Sequence, residues 1–179
     1  MTQRERDAHA WMRNALKGNG DRITRIENLL AEGTPDTNGC VGGMEFWLEI
    51  KAPKEPARLN SYLFRNNSNH MFTQGQKNWA LAQIKVGGNM WAFLNTDHRK
   101  LLIPGVYIEH LNDMTIGEAI AAAVWEHHRG EALELKHKLL RAALSQRMPT
   151  RLSSAAWKNM KSSPWNQNVT PHALQDHPV

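Results

Sequence analysis

Cysteine is almost missing from this 179-residue chain. Cys40 stands alone, which excludes a disulfide scaffold and any zinc finger built on paired thiolates. Long apolar runs are missing too: no stretch approaches the ~20 residues of a membrane span. Met1-Thr2-Gln3-Arg4-Glu5-Arg6 has no apolar segment of the signal-peptide kind behind it, so the expected location is the cytoplasm. Gly42-Gly43 and Gly87-Gly88 satisfy neither a GxGxxG nor a P-loop spacing, which removes the usual grounds for nucleotide binding. What remains is ordinary for a globular chain, with 41% hydrophobic and 22% charged residues. At this length roughly 70% of the unfolded surface can be buried, enough for a core without staples.

Charge of one sign is unevenly placed. Residues 1–128 balance 14 Lys/Arg against 14 Asp/Glu, whereas 129–179 carry eight basic residues against Glu131, Glu134 and Asp176. The whole net charge of +5 therefore sits in the C-terminal third, a distribution that points to a polyanion and to nucleic acid before membrane.

Periodicity gives a polar helix over 3–17, with Ala8, Trp11, Met12, Ala15 and Leu16 on one stripe. It gives a second helix over 22–32, capped by Asp21, with Ile23, Ile26, Leu29 and Leu30 apolar and Gly33 as its stop. Residues 34–39 offer a brief strand at most, and 44–51 are the clearest strand: Phe46, Leu48 and Ile50 alternate with Glu45, Trp47, Glu49 and Lys51. Residues 57–72 read as an irregular insertion. Thr73 opens a capping-box helix to about Val86, and strands follow at 89–94, expected to be central, and 100–103. Beyond Asp113 the pattern predicts helices over 115–128 and 131–147, then a tail. The division expected is a core over 1–113, a helical extension over 114–148 and a flexible tail over 149–179.

Period-2 geometry puts Glu49 and Lys51 on one face of their strand, opposite Phe46, Leu48 and Ile50. Alone, such a pair reads as surface decoration, and Asp36 after Pro35 as a turn residue. Taken together, Glu27…Gly33-x-Pro35-Asp36…Glu49-Ile50-Lys51, followed by Gln76 at a helix start and an apolar strand after Gly87-Gly88, resembles the PD-(D/E)xK nuclease superfamily. The continuation is similar to the VRR-NUC-like branch and to small phage or resolvase-type nucleases. The resemblance covers roughly 21–96 and implies an α/β fold: a restriction-endonuclease-like core, a mixed sheet flanked by helices, here with a helical C-terminal extension.

The resemblance implies a Mg²⁺- or Mn²⁺-dependent endonuclease cleaving DNA, structured or branched DNA included, in phage or mobile-element DNA metabolism. Asp36, Glu49 and the Ile50 carbonyl would hold the metal, Lys51 would polarise the attacking water, Glu27 would hold a second metal or its water, and Gln76 would position water or a phosphate. Gln76 also occupies the third position of the capping box, so capping alone would explain it. Arg58, Arg65, Lys136, Lys138 and Arg141 would track the DNA backbone without reading sequence. The apolar stripe of 131–147 must be buried against the preceding helix, the core or a second copy in a homodimer. The competing expectation is a catalytically idle nucleic-acid-binding or host-inhibiting protein on a nuclease fold; three carboxylates crowded around one lysine argue against it.

Overall fold

A computed structural model of the chain describes residues 2–17, 20–26, 33–65, 68–131 and 133–146, with the backbone alone at 135 and 136. Six strands form one mixed sheet in chain order: β1 (Arg22–Arg25), β2 (Thr37–Val41), β3 (Met44–Lys51), β4 (Met90–Asn95), β5 (Arg99–Pro104) and β6 (Trp125–His128). β3 and β4 run parallel and the other neighbours are antiparallel. A parallel pair needs a crossover, and α2 (Gln74–Lys85) supplies it. β4 lies between β3 and β5, as its nearly continuous apolar sequence predicts.

Both faces of the sheet are covered. Phe46, Leu48 and Ile50 of β3 join Trp91 and Phe93 of β4 in one cluster with Ala8, Met12 and Leu16, from α1 (Gln3–Ala15) and its C-cap. Leu140 and Leu144 of α4 (Leu133–Leu144) pack into the same cluster. Ala92 and Leu94 face the other way, into a cluster with α2, α3 (Ile116–Ala122) and the 57–72 insertion, which contributes Leu63, Phe64 and Phe72. Backbone bonds pin that insertion: Leu63 N donates to Met114 O, Ile116 N to Ser61 O and Gly117 N to Leu59 O. It is therefore an integral cover over the second face. Between β2 and β3 the chain reverses at Gly42-Gly43, whose φ angles are 56° and 79°. A two-residue turn with both φ positive matches the strand twist, and it locks Thr37 opposite Leu48.

Two sequence expectations are overturned. The helix expected over 22–32 is a strand over Arg22–Arg25, and 27–32 lie outside the described residues. Ile23 and Ile26 suit either period, and the decision falls to pairing: the backbone of 22–25 completes the ladder of β2, with β-branched Ile23 and Thr24 well suited to it. Asp21, expected as a helix cap, instead accepts from Gly42 N and pairs with Arg141. The helix expected over 115–128 stops at Ala122. Val124 N then bonds Leu102 O, and 125–128 form the outer strand on β5, so tertiary pairing overrides the helix propensity of the alanines. His127 and His128, expected at a helix end, lie on that strand.

Candidate active site

The β2–β3 hairpin does most of the assembly. One step beyond the Thr37–Leu48 pair, antiparallel register sets Asp36 across from Glu49. Glu49 and Lys51 share the face of Trp47, which packs into the second cluster. That face is not solvent: Glu49 is 3% exposed and Lys51 8%. Lys51 Nζ lies 2.9 Å from Glu49 Oε1 and 5.4 Å from the centre of the Phe72 ring, so the insertion roofs the lysine. Buried charges cost several kcal/mol each unless paired, and this pair is held within three residues of one strand.

α2 contributes the third group. Gln76 Oε1 accepts from Thr73 N at 3.0 Å while its backbone N–H donates to Thr73 Oγ1 at 3.2 Å, which is the expected capping box. Its Nε2 donates to Glu49 Oε1 at 2.6 Å. One amide thus performs both roles, and the cap fixes where the Nε2 donor points. Gly33 makes this docking possible. It has φ +87°, and a Cβ there would collide with the backbone of Gly75 and Gln76, so the chain entering Asp36 lies directly on the first turn of α2.

Electrostatics single out Glu49. Burial, and then the negative charge of Asp36, push its carboxyl up to about 7; the charge and hydrogen bond of Lys51 and the nearby Asp36 backbone N–H pull it back only partly. Its second oxygen, Oε2, is buried with no hydrogen-bond partner among the described residues. Such an orphaned acceptor beside a second carboxylate fits a hard cation, which seeks oxygen ligands. Among the described residues no cluster of three or more His, Cys, Asp or Glu side chains could hold a metal. Among the described residues, Asp36, Glu49 and a main-chain oxygen would be a cation's protein ligands here, with waters completing the shell in the manner usual for Mg²⁺.

No family model matches the sequence, and no curated protein matches it. Among the solved structures similar to it is Hjc, a Holliday junction resolvase from the archaeal hyperthermophile Archaeoglobus fulgidus, with a TM-score of 0.38 and 16% identity over 59% of this chain and 77% of that one. A likeness of that size carries no argument, and the case stays with the residues.

Asp36, Glu49, Lys51 and Gln76 come together; Ile50, between the two charged residues, buries its side chain in the opposite cluster. Glu27 lies outside the described residues, as does the side chain of Lys136. Arg58 and Arg65 are exposed on the insertion. Lys138 pairs with Glu134 at 3.1 Å and Arg141 with Asp21, on a helix that packs against the face opposite Glu49. His70 Nδ1 meets Glu5 Oε1 at 3.1 Å. Trp47 packs edge-on against Trp79.

Sequence reasoning missed His9. Its Nε2 lies 3.4 Å from Asp36 Oδ2 and its Nδ1 3.2 Å from Thr37 Oγ1, while that hydroxyl donates to Asp36 Oδ1 at 3.1 Å. The signal available was the spacing of Glu5 and His9, one turn apart beside the apolar stripe of α1.

Proposed function

We propose that the chain is a metal-dependent phosphodiesterase of the PD-(D/E)xK type that cuts DNA, as the sequence pattern implies. One observation carries this reading: a lysine and a glutamine amide converge on one oxygen of a buried carboxylate whose other oxygen has no hydrogen-bond partner among the described residues, and a second carboxylate, Asp36, lies close enough to push its pKa up. A merely structural ion pair needs neither the second acid nor the spare acceptor, and one strongly perturbed acid beside a specific charge partner is a mark of functional sites. A bound divalent cation would lower the pKa of a water and offset charge building on phosphorus. Glu49 and Asp36 supply the anionic floor. Gln76 holds Glu49 in one rotamer, and Lys51 provides a fixed cation for the oxyanion of the transition state.

The test is incubation with Mg²⁺ or Mn²⁺ on supercoiled, linear, branched and single-stranded DNA, with Asp36→Asn and Lys51→Ala in parallel. Cleavage by the parent and its loss in both variants is the expected result. A parent that binds DNA but never cuts it would replace this reading with the idle nucleic-acid-binding one. Cleavage that persists in both variants would move the active site elsewhere.

A further inference from the structure

Where β4 turns into β5, a cavity of about 320 Å³ opens between that turn, the first turns of α1 and the residue that follows β6. Its walls carry the cations Arg4, Arg99, Lys100 and Arg129 and the acids Asp7 and Asp97. Two of these cations are paired. Arg4 Nη2 lies 2.8 Å from Asp97 Oδ1, and Arg99 joins Glu55 Oε1 at 2.8 Å to Glu126 Oε1 at 3.0 Å. Asp97 also accepts from the Glu55 backbone N–H at 3.2 Å, and Asp7 accepts from Gln3 Nε2 at 2.7 Å. Lys100 and Arg129 are left, and among the described residues neither forms an ion pair with a carboxylate. The sheet sets them side by side. Lys100 stands opposite His127, and Arg129 N donates to His98 O at 2.9 Å, which carries the ladder one step further. Residues 100 and 129 are therefore diagonal neighbours on one face, within reach of long side chains. Lys100 Nζ lies 5.2 Å from the centre of the Trp11 ring, a neighbour with no charge to offset it. Burial, and then the positive charge of Arg129, hold the Lys100 ammonium below its ordinary pKa. Like charges set together this way cost stability.

We propose that Lys100 and Arg129 form a seat for a single phosphate dianion, free or at the end of a small molecule. Two unit charges match a dianion better than a carboxylate. The Arg129 guanidinium offers a fork for two phosphate oxygens, and the half-buried Lys100 adds a point charge whose pull is strengthened by its surroundings. At ~30 Å³ per water the cavity holds roughly ten waters, more than a bare oxyanion displaces, and its volume lies at the lower end of small-ligand pockets. Asp7 and Asp97 on the walls would repel the flanking phosphates of a polyanion, which selects an isolated phosphate group over a nucleic-acid backbone. The site lies on the face of the sheet that α1 covers, opposite Glu49, and it does not rest on the nuclease reading.

Calorimetric titration of the full chain in EDTA, at fixed ionic strength in chloride, tests this with inorganic phosphate, ribose 5-phosphate and a DNA duplex in separate runs. A small phosphate should bind the parent and raise its melting temperature by mass action. Lys100→Met, which keeps a long side chain over Trp11, and Arg129→Gln should each weaken that binding about tenfold or more, as for loss of a hydrogen bond to a charged group. In chloride alone both variants should melt at or above the parent, because each removes one of two repelling charges. Arg13→Gln, which removes an exposed cation of α1, should bind like the parent. Equal affinity for the two small ligands would assign free phosphate, and tighter ribose 5-phosphate a phosphomonoester. A parent that binds neither, undiminished binding in both variants, an equal loss in Arg13→Gln, or variants that melt well below the parent in chloride would each overturn the proposal. So would binding of the duplex alone, weakened by the same two changes, since the pair would then be a polyanion contact.

Discussion

Replacing Glu49 with Gln should change the pH response of the metal-free protein's stability in a way that can be worked from the structure. The Glu49 carboxyl titrates near 4.5 when exposed and is pushed up to about 7 in the fold. Between those values the folded state keeps a proton that the unfolded state has released, so stability falls as pH rises. The loss begins near pH 4.5 and levels off above about 7. At ~1.4 kcal/mol per pH unit of displacement, it amounts to about 3 kcal/mol, a large part of the 5–15 kcal/mol typical of a domain. Glutamine keeps the shape and carries no proton to lose. Lys51 forfeits its partner in the variant, but that penalty is constant over this range and drops out of the comparison. Urea unfolding of both proteins in EDTA, at intervals from pH 4 to pH 8, should show the variant gaining about 3 kcal/mol relative to the parent. Parallel curves would mean that Glu49 ionises like a surface acid and that the buried-carboxylate argument is wrong.

Mg²⁺ or Mn²⁺ should raise the melting temperature of the parent by mass action on the folded state; an equal gain in Asp36→Asn/Glu49→Gln would place the cation elsewhere. Lys51→Ala should slow cleavage by about two to three powers of ten, as for loss of one transition-state partner, with DNA affinity in EDTA nearly unchanged; full activity would refute its role. Gln76→Glu preserves the capping box but sets a carboxylate against Glu49, so the fold should survive by circular dichroism while cleavage falls at least tenfold. Gly33→Ala should cost about 1–3 kcal/mol in urea unfolding, because its φ of +87° and the backbone of Gly75 leave no room for a methyl; a neutral result would show that the Asp36 turn does not rest on α2.

The alternating apolar residues of β3, the capping box of α2 and the apolar stripe of α1 were all legible, because each is a local pattern with one period. Asp36, Glu49, Lys51 and Gln76 were legible as a spacing, and the fold brings the four together. What was not legible depended on pairing. Arg22–Arg25 and Trp125–His128 carry helix-compatible spacings, and only a neighbouring strand's unpaired backbone decides against the helix. Charge misled in a similar way. Counted along the chain, the first 128 residues are neutral, yet folding sets Lys100 beside Arg129 and sends Glu5 to His70. His9 was invisible because its partner Asp36 lies 27 residues away, across a helix–strand contact.

The Gly42-Gly43 turn, which touches none of the candidate catalytic groups, also sets the order in which they can meet. A tight hairpin closes in about 1–10 μs, far ahead of long-range docking, and its register alone brings Asp36 level with Glu49. Two like charges would make a poor nucleus. This hairpin avoids that, because Lys51 travels on the same strand and arrives with them while all three are still hydrated. Dehydration follows, when residues 57–72 and α2 close over a charge set that Lys51 has already partly neutralised. A one-residue insertion at the turn would slip the ladder and turn the paired side chains to the wrong face, disabling the site during synthesis without altering any residue in it.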